Sequence, residues 1–69
     1  MKYDVDEWVI FRPFPNDESE LLREIEDRAV ILSYLPKDRF YDYKIVIEET
    51  GKIKKVREHQ LFPDPRPTY

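Results

Sequence analysis

Cysteine is absent, and glycine, methionine, tryptophan and histidine each occur once in the 69 residues. Without cysteine there are no disulfide staples, no thiolate zinc cluster and no thiol nucleophile. A lone glycine, Gly51, cannot build a phosphate-cradling loop of the P-loop or dinucleotide kind, nor a calcium loop around the acids Asp17, Glu18 and Glu20. His59 stands alone as a group titrating near neutral pH, and the two serines, Ser19 and Ser33, lie outside any nucleophile-elbow context. These shortages point away from an enzyme and imply no cofactor and no bound metal. No apolar run approaches 18 residues and no basic-then-apolar leader is present, so neither a spanning helix nor a signal peptide is expected. Together with the missing cysteine, this fits a cytoplasmic setting.

Charge and aromatic residues are abundant. Charged residues make up 39% and hydrophobic ones 41%, a globular balance sufficient for one domain. A core this small supplies no more than about 3–5 kcal/mol, which leaves little slack for an elaborate active site. Residues 1–28 carry nine acids against four bases, whereas residues 29–69 carry eight bases against six acids. The overall charge of −3 argues against bulk nucleic-acid binding, which needs a basic field. The bases cluster locally at Lys52, Lys54, Lys55 and Arg57, and such a cluster reads first as the solvated face of a strand.

Along the chain, Val5, Trp8, Val9, Ile10 and Phe11 read as a strand, stopped by Pro13 and Pro15. Asp17 as a cap, with Glu20 three residues on, opens a predicted helix over about 18–27. Leu21, Leu22 and Ile25 form its apolar side, Glu20, Glu24 and Asp27 its acidic side, and Glu24 and Arg28 are spaced to pair. Residues 29–35 could prolong that helix, but Val30-Ile31 and the following aromatic favour a strand buried on both faces. After a polar turn at 36–39, Tyr41, Tyr43, Ile45 and Ile47 alternate with polar residues, the strongest strand signal present. Gly51 marks a hairpin turn, residues 52–57 the returning strand with its bases outward, and 58–61 a short turn ending in an apolar plug. A domain over 1–62 is then followed by an extended tail over 63–69, with prolines at every second position rather than in P-x-x-P spacing.

A strand, a long polar excursion, a buried strand, an alternating strand, a tight turn and a return strand suggest a mainly β fold: a small antiparallel barrel with one short helix in its long first loop. The order resembles Src-homology-3-like barrels, and among them the Tudor and KOW groups. Tyr41-Asp42-Tyr43, Glu49-Thr50-Gly51 and Glu58-His59-Gln60-Leu61 carry the resemblance, over about a third of the chain, and are similar to small barrel proteins of Bacillus phages and prophages. The resemblance implies a phage-borne origin but no activity, because the family has none established. The charged excursion between Pro13 and Arg28 departs from that pattern.

Ten aromatics exceed what one small core needs. Trp8, Phe11, Tyr34 and whichever of Tyr41 and Tyr43 points inward are assigned to the barrel, leaving Phe14, Phe40 and either Tyr3 or Tyr69 for loops and surface. In barrels of the resembled class the binding groove lies between the first excursion and the loop near 36–40. The resemblance therefore places Phe14, Phe40 and Tyr41 beside it, with Glu20, Glu24 and Asp27 as an acidic wall. Capping the open ends of the barrel is the competing role for these aromatics. The functional expectation is a non-enzymatic protein-binding module, monomeric or weakly self-associating, acting on a host or phage protein with a basic surface. The alternative is a KOW-like nucleic-acid module using Lys52, Lys54, Lys55 and Arg57.

Overall fold

Alternation of apolar and polar side chains sets most of the architecture seen in the computed structural model, which describes residues 2–66. Five strands form one antiparallel sheet: β1 (Trp8–Phe11), β2 (Asp27–Tyr34), β3 (Tyr43–Ile47), β4 (Ile53–Val56) and β5 (Leu61–Pro63). Their spatial order is β4-β3-β2-β1-β5. A one-turn helix, α1 (Glu20–Arg23), lies between β1 and β2, and a single 3-10 turn (Glu58–Gln60) precedes β5. No described helix is long and apolar enough to cross a membrane.

One face of the sheet builds the core. Val9 and Phe11 of β1, Ala29 and Ile31 of β2, Tyr43, Ile45 and Ile47 of β3, Val56 of β4 and Leu61 of β5 are buried in one cluster with Tyr3. Each fully buried Ile, Val or Leu contributes about 1.5–3 kcal/mol, so this cluster is the main source of stability. Val56 and Leu61 belong to the two edge strands, so the sheet coils far enough to bring its edges into one cluster while β4 and β5 stay unpaired with each other. The sheet is not closed into a barrel. A register shift at Ile31/Ser33, opposite β3, adds to this bending.

Residues 27–34 form a strand, as the β-branched pair suggests, but β2 buries one face only: Ala29 and Ile31 are enclosed while Leu32 is 42% exposed. The first helix is much shorter than the spacing predicts. It runs for four residues, and its cap is Ser19, whose hydroxyl accepts from the Leu22 amide, rather than Asp17. Asp17 instead accepts from the Ser19 amide at 2.8 Å. The physical reason is that Leu21, Leu22 and Ile25 find no place in the core: Leu21 is 80% exposed, the other two are partly so, and an isolated helix this short is not self-supporting. Arg28, expected to pair with Glu24, lies in β2 and pairs with Glu48 and Asp64.

Aromatic assignments also change. Tyr3 is buried and Tyr34 is exposed rather than enclosed, while of Tyr41 and Tyr43 it is Tyr43 that faces the core. Tyr43 explains the first two. Its hydroxyl accepts from the Lys2 and Tyr3 amides at 3.0 and 3.1 Å, donates to Glu58 at 2.7 Å, and its ring meets Tyr3 and Tyr34 edge-on. Burial pushes the Tyr43 phenol above its ordinary value, and the bond from that phenol holds the Glu58 carboxyl below its own. The last strand takes in Pro63, one residue past the boundary expected at 62, and Asp64 beyond it is held by Arg28. Pro67, Thr68 and Tyr69 of the expected tail lie outside the described residues.

Candidate functional site

Two loops meet at the 3-10 turn. The excursion after β1 is fixed by Gln60, whose side-chain amide donates to the Pro13 carbonyl at 3.1 Å while the Arg12 amide donates to the Gln60 carbonyl at 2.8 Å. The β2–β3 connection is fixed from the same turn: Arg57 Nε donates to the Phe40 carbonyl at 2.9 Å, and the Glu58 amide to Asp42 at 2.8 Å. The loops bearing Phe14 on one side and Phe40 and Tyr41 on the other are thus braced to one short segment. All three rings are exposed, Phe40 by 63%. Among the described residues no ring pair joins Phe14 to Phe40 or Tyr41, so the three do not form a stacked cluster.

Local chemistry shapes each loop. Asp38 Oδ1 accepts from the Phe40 and Tyr41 amides at 2.8 and 2.9 Å, closing the turn that presents both rings. Those two bonds, with a smaller contribution from Lys55, hold the Asp38 carboxyl below its ordinary value. In the excursion, Arg23 donates to the Asp17 and Glu18 carbonyls at 2.7 and 3.0 Å, and Arg12 reaches the Arg23 carbonyl and Glu26, each at 3.3 Å. Two arginines therefore organise a segment that has almost no core of its own.

The expected acidic wall is divided. Glu20 opens α1 and Glu24 ends it, both exposed, but Asp27 is the first residue of β2 and half-buried. Exposed apolar side chains, Leu21, Leu22 and Ile25, accompany these acids on the excursion. Of the basic residues, Lys54 lies on the core side of β4 with Nζ 5.7 Å from the Phe11 ring, while Lys55 projects from the other side and meets Asp38 at 3.6 Å. Lys52 precedes β4 and Arg57 follows it, so the four lie along one edge without forming one patch. His59 is exposed on the 3-10 turn, and no hydrogen bond to its side chain appears among the described residues.

A constellation that sequence reasoning missed centres on Arg28. Its guanidinium lies 3.9 Å from the Trp8 ring centre and bonds Asp64 at 2.5 Å and Glu48 at 2.7 Å. Arg66 adds a further contact to Asp64 at 3.3 Å. The Asp64 carboxylate, almost fully covered, is held down to about 2, chiefly by the bond from Arg28. Beside it lies a depression of about 570 Å³ lined by Ile10, Arg12, Phe62 and Arg66 among others. Its cations already face Glu26 and Asp64, so the arrangement fastens the C-terminal segment to the sheet. No local signal pairs Arg28 with a residue 36 positions away.

No protein-family model and no curated protein matches the chain. Among solved structures it is similar to the NMR structure of Bacillus subtilis protein YorP, with a TM-score of 0.71 and 24% identity over 99% of this chain and 76% of that one. At that identity the likeness shows the fold: a small β-rich domain like that of YorP.

Proposed function

We propose that this chain is a non-enzymatic protein-binding module whose contact surface is formed by the excursion after β1 and the loop before β3. The exposure of Phe14, Leu21, Ile25, Phe40 and Tyr41 on loops braced to one turn carries the reading. Leaving large apolar side chains in water while a small core goes without them has a use at an interface, where aromatics bury area at small entropic cost. Glu20 and Glu24, exposed beside Leu21 and Ile25, with Asp27 at the start of β2, suit a basic patch on the partner, a host or phage protein.

The fold behind this surface is, on this reading, an open Src-homology-3-like barrel. The strand order β4-β3-β2-β1-β5 and the 3-10 turn before the last strand support it. A phage-borne origin, implied by the resemblance carried by Tyr41-Asp42-Tyr43, Glu49-Thr50-Gly51 and Glu58-His59-Gln60-Leu61, and a cytoplasmic setting belong to the same reading. Nucleic-acid binding through Lys52, Lys54, Lys55 and Arg57 is the weaker alternative. Lys55 is engaged by Asp38, Arg57 by the Phe40 carbonyl, and the net charge is −3.

The test is capture of partners from a Bacillus lysate by the tagged protein and by a Phe14→Ala/Leu21→Ala/Phe40→Ala variant. All three positions are exposed, so the variant is expected to stay folded and to lose the proteins that wild type retains. A charge-reversed Glu20/Glu24/Asp27 variant should lose the same set. Recovery of an unchanged set by both variants overturns the proposed surface.

A further inference from the structure

The two edges of the sheet are finished differently. On β5 the main-chain groups of Leu61 and Pro63 face away from β1, because the Arg12 amide bonds the Gln60 carbonyl and the pairing alternates from there. Leu61 is used on both sides, its carbonyl accepting the Tyr3 hydroxyl at 3.0 Å and its amide donating to the Glu58 carbonyl, and Pro63 offers a carbonyl but no N–H. On β4 the alternation is set by the bond from the Ile47 amide to the Lys52 carbonyl at 2.8 Å. Lys52, Lys54 and Val56 therefore point their main chain at β3, and Ile53 and Lys55 point theirs outward. No described residue bonds the outward amides and carbonyls of Ile53 and Lys55. Two donors and two acceptors at alternate residues are what an added strand requires.

The side chains around this edge select its occupant. Ile53 is 60% exposed and ends a row, Trp8, Val30, Val46, Ile53, that runs across the outer face of the sheet by direct pairing. Four cations flank it: Lys52 and Lys54, Lys55, which pairs with Asp38 at 3.6 Å but stays 53% exposed, and Arg57, whose Nε is taken by the Phe40 carbonyl. A second copy added through its own β4 would bring lysines against lysines, which is unfavourable across a strand pair. A nucleic-acid strand would leave the outward main-chain groups unused and could not follow Lys54 and Lys55, which lie on opposite faces.

We propose that the β4 edge docks an extended acidic segment of another protein as a sixth strand, with carboxylates opposite Lys52, Lys54 and Lys55 and an apolar side chain beside Ile53. The main chain supplies the register, and the lysines select the acidic partner. This surface is separate from the one carrying Phe14 and Phe40, and either assignment can fail without the other.

The probe is a blocked peptide, Thr-Glu-Glu-Val-Glu-Glu-Thr, whose order reads the same in both strand directions, titrated at low salt into isotopically labelled protein. The Ile53 and Lys55 amides, fast to exchange in the free protein, should shift and gain protection, while the Lys54 amide, already in the ladder, changes little. Ile53→Pro removes one outward donor at the first residue of an edge strand, where proline spares the ladder, and should weaken binding about tenfold or more. Lys54→Glu/Lys55→Glu, at two exposed positions, should weaken it at least as much and covers the case in which the proline variant unfolds. Phe14→Ala/Phe40→Ala should bind the peptide as wild type does. The proposal is overturned if saturating peptide leaves the Ile53 and Lys55 amides unshifted, or if N-methylation at alternate peptide residues does not weaken binding. It is equally overturned if an oligonucleotide perturbs this edge more strongly than the peptide does, or if the edge proves to join two copies of the chain.

Discussion

Individual polar groups tie distant parts of this small chain together. Tyr43 uses one hydroxyl to hold the Lys2 and Tyr3 amides and Glu58, joining the N-terminal segment, β3 and the 3-10 turn. Asp64 does the same for the C-terminal segment through Arg28. Its carboxyl stands at about 2 in the folded chain against an ordinary 3.8. Folding therefore favours the ionised form, and the stabilisation is complete above the unfolded value and lost as pH falls from near 4 towards 2. Glu58 and Asp38, both lowered, act in the same direction. Urea midpoints measured across that acid range should fall for wild type and fall less steeply for Asp64→Asn. Parallel curves would show that Asp64 does not link folding to pH. Neither network was legible in the sequence: Tyr43 and Asp64 carry no local mark distinguishing them from Tyr41 and Asp38, and their partners lie tens of residues away.

At the scale of elements, legibility followed the source of order. The β3–β4 hairpin was readable because its instruction is local: period-two alternation, then Gly51 at φ +71°. A Cβ added at Gly51 would meet no atom within 4 Å, so Gly51→Ala isolates backbone strain from crowding. It should cost about 1 kcal/mol, which lowers the melting temperature by about 4–8 °C in a domain of this size. Gly51→Asn should cost less, because asparagine tolerates this conformation better. Equal shifts in thermal unfolding would mean that the sign of φ does not govern the turn. The excursion was misread because helical spacing at Leu21, Leu22 and Ile25 states a preference that only a packing partner can realise. What remains is one turn held by Ser19 and by the carbonyl contacts of Arg23.

Across the whole molecule, a single cluster supports a domain with about 3–5 kcal/mol to lose. Ile45, fully enclosed, and Leu21, 80% exposed, are both branched aliphatics on segments with clear periodicity. Ile45→Ala should cost about 2–5 kcal/mol and leave much of the chain unfolded at room temperature, whereas Leu21→Ala should barely move the urea midpoint. A large loss at Leu21 would mean that the excursion belongs to the core and that its apolar side chains are not free for a partner. The unlike finish of the two edges is also a property of the whole: Tyr3, from the first residues, closes the β5 edge near the end of the chain, while β4 carries only its lysines.

The amino-acid order alone determined the β character, the one-sided β3, the hairpin at Gly51 and the poverty of catalytic groups, because each depends on neighbours within a few residues. Tertiary structure decided how far α1 extends, which tyrosines are enclosed, where Arg28 finds its carboxylates and which sheet edge is left open. Those outcomes rest on contacts between residues far apart in sequence, whose energies exceed local preference, and they exist only once the sheet has coiled.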